Sequence, residues 1–272
     1  THQAEVNEHP FPQKRTQAQT SLNEISANEV LTPVKMLTAN IILKNDFYTV
    51  NYNPEKNVAN YTDYVLTGEM LSTHVETKRN FKPDVRLKQY GLPVPTTKWY
   101  TGSGYDRGHL TPLEDMGFSI PSYTSTNLMS NVSPREKQMN SPAWATLERM
   151  VRGWGCKEGA IRVVTGTIFQ DDYGQLNDKP VFVPSHFYKA ILDLTPPRKA
   201  IAFVMSQKDR GAKIYIDRVT TVADVEKMVG YDIFADIRTD EQQQLEQKSD
   251  LRDWQERTKI CFKAGYLNKN KM

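Results

Sequence analysis

The segment that decides how this chain folds is Tyr105-Asp106-Arg107-Gly108-His109-Leu110, in a sequence of 272 residues. On a β-strand, side chains two positions apart share a face, so Arg107 and His109 should project together while Asp106 and Gly108 face the other way. Gly108 removes a side chain where another backbone or a ligand could approach closely. A guanidinium beside a titratable imidazole suits an anionic substrate and a proton transfer.

A helix is predicted over residues 140–152, downstream of that strand. Ser141 is a suitable N-cap and Pro142 suits the first helical position. Gly153 and Gly155 should end the helix, since glycine is common just past the last helical residue.

This helix carries polar side chains along one face. Trp144, Glu148 and Arg152 recur every fourth residue and should therefore line the same side. Taken alone, Glu148 and Arg152 have the spacing of an ordinary ion pair on a helix surface. With Ser141 as the cap, the amide of Asn140 is free to point elsewhere.

Several strands are predicted around this centre. Residues 126–132 alternate well enough to form one, and Pro134 should close it because proline cannot continue a central ladder. A β-hairpin is predicted over residues 41–43 and 47–52. Further strands are expected at residues 61–66, 160–166, 187–192 and 200–205.

In this order and spacing, these segments resemble the DNA/RNA non-specific endonucleases of the ββα-metal type, which include secreted bacterial nucleases and mitochondrial endonuclease G. The central matches are Asp106-Arg107-Gly108-His109, Ser130-Asn131-Val132-Ser133-Pro134, Asn140, Ala143-Trp144 and Leu147-Glu148. Further matches are Thr77-Lys78-Arg79-Asn80-Phe81, Val164-Thr165-Gly166, residues 183–189 and residues 229–234. The resemblance implies an α+β fold, in which a ββα-metal finger motif packs on a central, mainly antiparallel β-sheet with flanking helices.

The same resemblance implies a division of labour at one phosphodiester. His109 would be the general base, because an imidazole with a pKa near 6.5 is mostly neutral at neutral pH and can accept a proton from water. Activity should then decline as the pH falls through that pKa. Asn140 would be the metal ligand for Mg²⁺, with Mn²⁺ as the alternative, and Glu148 would hold the waters of the ion.

The remaining predicted site residues surround this pair. Arg79 and Arg107 would grip the non-bridging phosphate oxygens, because a guanidinium fork matches phosphate geometry. The resemblance also implies that Asn131 orients the His109 ring and that Asn127 lies near the metal. Arg152 and Asn127 are assigned to substrate binding.

Bulk composition sets wider bounds on the chain. It is 38% hydrophobic and 25% charged, with a net charge of +3, so it permits a polyanionic partner without demanding one. No apolar run approaches the length needed to cross a bilayer, and no membrane partner is expected. We expect a polar arm over residues 1–33, the nuclease-like domain over residues 34–238 and a helical appendage over residues 239–272.

The two cysteines bear on the compartment. A disulfide between Cys156 and Cys261 is the preferred reading, at about even odds against two buried free thiols, and the even count is weak evidence for an oxidising compartment. The chain begins at Thr1 without methionine, as a processed product or an expression product would. The expectation is a secreted or periplasmic protein, with a mitochondrial location as the alternative.

Two other functions compete with a metal-dependent endonuclease acting on DNA and RNA. One is a non-catalytic nucleic-acid-binding module, which would use the 13 Tyr and 4 Trp as stacking platforms. The other is the same chemistry deployed as an interbacterial toxin, which implies an inhibitor or immunity protein as partner. The oligomeric state stays open at this stage.

Overall fold

The structure is a computed structural model, and it describes residues 40–75 and 77–254. Its strands are β1 Ile41–Lys44, β2 Thr49–Asn53, β3 Val58–Thr67, β4 Tyr105–His109, β5 Val132–Glu136, β6 Ala160–Ile168, β7 His186–Asp193, β8 Ala200–Ser206 and β9 Val219–Thr220. Its α-helices are α1 Gly68–Ser72, α2 Thr97–Tyr100, α3 Ile120–Ser125, α4 Ala145–Glu158, α5 Val222–Val229 and α6 Thr239–Glu246. The 1–33 arm and Cys261 of the predicted disulfide lie outside the described residues.

The main sheet has seven strands in the order β1-β2-β3-β6-β7-β8-β9. Every neighbouring pair in it is antiparallel, and the predicted hairpin is the β1–β2 pair. The α+β prediction with a mainly antiparallel central sheet is therefore confirmed, as are the strands expected near residues 61–66, 160–166, 187–192 and 200–205.

Both faces of this sheet are covered, and β7 shows how. Phe187 and Ile191 belong to the apolar cluster that contains Trp154 of α4, whereas Tyr188, Ala190 and Leu192 belong to the opposite cluster with α5. Because side chains alternate along a strand, Lys189 must lie on the α4 side with Phe187 and Ile191. An amino group is thus buried between α4 and the sheet.

A second, two-stranded sheet pairs β4 with β5 and lies outside the ladder of the main sheet. The prediction of a strand over residues 126–132 is wrong: Met129–Asn131 form a 3₁₀ turn, and the strand is Val132–Glu136. Pro134 lies inside this strand rather than closing it. Its carbonyl accepts a hydrogen bond from Gln207, so its backbone nitrogen also points away from β4 and no ladder bond is lost.

The segment after β5 differs from the prediction at both ends of the helix. Residues 139–144 form an irregular turn in which Ser141 is extended and makes no capping hydrogen bond. Helix α4 continues through Gly155 and ends before Gly159, which has a positive φ of 89°. Gly155 serves packing instead, since a Cβ there would lie 3.4 Å from side-chain atoms of Ile161 and Leu66.

The last described segment packs on the same unit. The ring of Trp254 lies 5.3 Å from that of Trp154, and Leu245 of α6 packs against the cluster on the α5 side. The division of the chain at residues 33/34 and 238/239 stays a prediction. Within the described residues, no helix combines the length and apolar character that crossing a bilayer requires.

We expect Gly166→Ala to unfold at a lower denaturant concentration than the wild type. A Cβ at Gly166 would collide with the ring of Tyr188 and the carbonyl oxygen of Asn60, and overpacking of this kind costs about 1–3 kcal/mol. The matched control is Gly155→Ala, where contacts are ordinary and the helix gains about 1 kcal/mol in propensity. Equal unfolding midpoints for the two variants would contradict the packing described here.

Candidate active site

Strand β4 presents one face to Phe81. The His109 ring stacks on the Phe81 ring with centroids 5.1 Å apart, and the Arg107 guanidinium carbon lies 5.0 Å from the same centroid. The prediction that these two side chains project together is confirmed. Arg107 and Arg79 are exposed, whereas His109 is half-buried.

Asn127 contacts the imidazole ring directly. Its Oδ1 lies 3.4 Å from His109 Nε2, and its own amide nitrogen faces the Tyr123 carbonyl at 3.5 Å, which fixes which way the amide points. Because Oδ1 can only accept, Nε2 is the nitrogen that carries the proton in neutral His109. Nδ1 is therefore left as the proton acceptor.

Asn131 does not make the ring contact that was predicted for it. Its Oδ1 accepts from the Thr111 amide at 2.8 Å, and its Nδ2 donates to the carbonyls of Thr111 and Thr126 at 3.0 and 2.9 Å. Its amide is committed to backbone on both sides, so it braces the loop that follows β4. The ring-orienting contact belongs to Asn127.

The surroundings of His109 favour the neutral ring. Burial lowers its pKa to about 3, and the charges of Arg79, Arg135 and Arg107 act in the same direction, while the contact with Asn127 opposes them. The imidazole is consequently uncharged near pH 6.5, where an ordinary histidine titrates.

Asn140 is held on the other face of β4. Its Nδ2 donates to Asp106 Oδ2 at 3.1 Å, and its Oδ1 accepts from Arg135 Nη1 at 3.1 Å. Arg135 also donates from Nη2 to the His109 carbonyl at 3.1 Å. The Asn140 oxygen and the backbone of His109 thus lie at the two ends of one guanidinium, in a contact that the sequence did not reveal.

Glu148 of α4 faces a group of buried cations. Burial raises the pKa of this carboxyl, and the charges of Lys189, Arg135 and Arg152 lower it. Lys189 is fully buried and donates to Thr165 Oγ1, and burial lowers its pKa to about 8. A lysine in an otherwise apolar run was the sequence signal that could have identified this partner.

The helix-surface ion pair that spacing alone would allow between Glu148 and Arg152 does not form. Arg152 is 4% exposed and donates instead to Asp115 Oδ1 at 3.0 Å. Asp115 is 1% exposed and accepts a second hydrogen bond from the Tyr64 hydroxyl at 2.6 Å. The Arg152 guanidinium therefore contacts a buried carboxylate, and its assignment to substrate binding stays a prediction.

The oxygen donors at this site fit a hard divalent cation. Asn140 Oδ1 uses one of its two lone pairs on Arg135 and keeps the other. Glu148 is half-buried, and no residue in 40–75 or 77–254 donates a hydrogen bond to its carboxylate. Amide and carboxylate oxygens are ligands that Mg²⁺ accepts while keeping several waters, so these two residues can hold such an ion and its waters.

We expect Arg152→Met to lose roughly 3–5 kcal/mol of unfolding free energy, because it leaves the Asp115 carboxylate buried without its cation. The control is Arg79→Met, an exposed position where the change should stay within about 0.5 kcal/mol. Chemical denaturation of both variants provides the measurement. An Arg152→Met protein as stable as Arg79→Met would refute the buried-pair assignment.

Comparison with known proteins identifies the family of this chain. A sequence model of the DNA/RNA non-specific endonuclease family matches residues 27–240. A nuclease of Serratia marcescens is 30% identical over 222 residues, covering 78% of this chain and 81% of that protein. Nuclease C1 of Cunninghamella echinulata var. echinulata is 31% identical over 213 residues, covering 72% and 84%.

The fold has a match among solved structures as well. The crystal structure of the EndoG/EndoGI complex aligns with a TM-score of 0.65 at 24% identity, over 72% of this chain and 86% of the matched one. Human mitochondrial endonuclease G is 28% identical over 156 residues, covering 53% of this chain and 52% of that protein. The chain belongs to the DNA/RNA non-specific endonuclease family.

Proposed function

We propose that this protein hydrolyses phosphodiester bonds in DNA and RNA with little sequence preference, with His109 as general base and one divalent ion, Mg²⁺ before Mn²⁺. The observation that carries the proposal is the state of His109. Burial and three cations keep its ring neutral, and the contact with Asn127 leaves Nδ1 as acceptor. A ring in this state can take a proton from an attacking water.

The exposed cations suit the charge of the substrate. Arg79 and Arg107 lie beside His109 with their guanidinium groups open to solvent. Guanidinium groups in this position can bind the non-bridging oxygens of a phosphate and stabilise the charge that grows on them in the transition state. In this proposal, both residues bind and orient the phosphate that is attacked by the water His109 activates.

Asn140 and Glu148 would hold the ion, Asn140 through Oδ1 and Glu148 through the waters of the ion. A bound divalent ion supplies stabilisation of the negative charge on the leaving 3′ oxygen. Asp106 and Arg135 fix the Asn140 amide, so its oxygen is oriented before the ion binds. Asn127 contributes by holding the His109 ring, and its place near the metal stays a prediction.

Phosphate contacts should dominate substrate binding. The cations beside His109 carry no base-specific geometry, so affinity should fall with salt and vary little with sequence. A non-catalytic binding module is the competing function, but phosphate binding does not require a desolvated neutral imidazole with a free acceptor nitrogen. The state of His109 favours the enzyme.

Partner and compartment follow the relatives. In the matched crystal structure EndoG is inhibited in its complex with EndoGI, which makes a protein inhibitor, or an immunity protein in a toxin setting, a reasonable partner for this chain. Relatives include mitochondrial nucleases as well as bacterial ones. We retain the secreted or periplasmic location with the mitochondrial alternative, and the Cys156–Cys261 disulfide, as predictions.

Plasmid nicking with Mg²⁺ should be lost on adding EDTA, and His109→Ala should lower the rate roughly a hundredfold to ten-thousandfold, the usual range for an acid–base catalyst. His186→Ala is the matched control, since His186 is another half-buried histidine and bonds Ser185. Cleavage that survives EDTA would refute the metal mechanism. Binding without cleavage by the wild type would favour the binding module.

The pH dependence should differ from the one expected of an ordinary histidine. With the pKa of His109 lowered to about 3, the ring stays neutral from pH 8 down to pH 5 and protonates only below that. We expect kcat/KM at saturating metal, which reports the free enzyme, to show no acid limb near pH 6.5 and to fall below pH 5. An acid limb centred near 6.5 that disappears in His109→Ala would contradict the lowered pKa.

A further inference from the structure

Arg135 occupies an unusual place for a guanidinium. It is 1% exposed, and its guanidinium carbon lies 4.8 Å from the Trp144 ring centroid and 4.5 Å from that of Phe187. Its Nη atoms donate to Asn140 Oδ1 and to the His109 carbonyl. Arg135 therefore connects the candidate metal ligand with the strand that carries the candidate base.

Gly108 makes this position possible. A Cβ at Gly108 would lie 2.9 Å from Cβ, Nε and Cζ of Arg135. The absent side chain noted in the sequence thus admits an arginine side chain, not another backbone. Gly108 and Arg135 therefore fit together, and the guanidinium lies on the Asn140 side of β4.

The charge of Arg135 is not neutralised by a direct ion pair. No carboxylate of the described residues lies within 4.0 Å of its guanidinium, although Glu148 and Asp106 are near enough to favour its charged form. Burial lowers its pKa to about 10, so it remains a cation at neutral pH. A full positive charge is therefore aimed at the oxygen of Asn140.

Orienting that oxygen does not require a charge. A neutral amide such as glutamine could donate the same hydrogen bond to Asn140 Oδ1, and Asp106 already holds the other end of the amide. What arginine adds is repulsion toward a cation bound at the same oxygen. Two like charges about 4 Å apart repel by about 1 kcal/mol even in bulk water, and by more where water is excluded.

We propose that Arg135 is a positioning residue that fixes the Asn140 oxygen for a divalent ion and, through its charge, keeps ion binding weak until a nucleic-acid phosphate joins the site. The inference rests on the proposed function, because it assumes that Asn140 is the ligand. A phosphate brings negative charge that attracts the ion directly, so ion and substrate should bind with positive coupling whether or not Arg135 keeps its charge. The consequence is an enzyme that takes up its ion mainly together with its substrate.

Titration with Mn²⁺ alone, followed by electron paramagnetic resonance of the free ion, tests the charge without any turnover. Arg135→Gln keeps a donor and removes the charge, and it should bind Mn²⁺ roughly tenfold more tightly than the wild type, the effect of about 1.4 kcal/mol. Arg135→Lys keeps the charge and should stay within about threefold of the wild type. Arg135→Met, which keeps an aliphatic stem between the two rings, is the second neutral variant and should also bind more tightly than Arg135→Lys.

The coupling is measured by repeating the titration with a DNA oligonucleotide in the His109→Ala background, which prevents cleavage. The oligonucleotide should tighten Mn²⁺ binding in the parent and in Arg135→Gln alike, because its phosphates attract the ion in both. If neither folded neutral variant, checked by its thermal unfolding, binds Mn²⁺ more tightly than Arg135→Lys, the inference is overturned. If Asn140→Ala leaves Mn²⁺ binding unchanged, the assigned ligand is wrong and the proposed function fails at that step instead.

Discussion

Everything at this site depends on how charge is kept inside the protein between α4 and the main sheet. Glu148 is drawn into a low-dielectric region where an isolated carboxylate would take up a proton. Lys189, Arg135 and Arg152 surround it, and Asp115 in turn balances Arg152. These positive charges oppose the effect of burial, although burial is the larger influence and the pKa of Glu148 stays above its ordinary value.

The same desolvation has the opposite effect on His109. A carboxyl is favoured in its neutral form by burial, and so is an imidazole, but for the imidazole the neutral form is the basic one. The arginines near His109 reinforce this outcome, whereas the cations near Glu148 oppose it. The charge of Arg135 acts on both groups, since it lowers the pKa of Glu148 and that of His109. It thereby favours an ionised acid and a neutral base, which are the two states that the proposed hydrolysis requires.

The sequence predicts the features of the fold that follow from local periodicity, but not those that depend on contacts between distant elements. Alternation placed Arg107 and His109 on one face, and the turn after β1 was evident, because both follow from local geometry. Pro134 and Gly155 were misjudged because their meaning depends on what faces them: a glutamine amide for the first, and side chains of β3 and β6 for the second.

The polar assignments failed for a related reason. The sequence alone does not distinguish Asn127 from Asn131. The path of the loop decides that Asn127 contacts the His109 ring, while Asn131 hydrogen-bonds to the backbone of Thr111. Arg135 and Asp115 carried no local signal, since each acquires its role from a partner on another element. Helical spacing suggested Arg152 as a neighbour of Glu148, but a buried carboxylate elsewhere is the stronger partner for a guanidinium that has lost its water.

Gln207, just past β8, has a wider significance. It is fully buried, its Nε2 donates to the carbonyls of Pro134 and Pro184, and its Oε1 accepts from the Glu136 amide at 2.8 Å. This one amide fastens the outer edge of β5 to the loop that leads into β7. The two-stranded sheet of β4 and β5 is thereby anchored to the rest of the domain. Grafting this sheet onto another scaffold would require an equivalent carboxamide at the same contact.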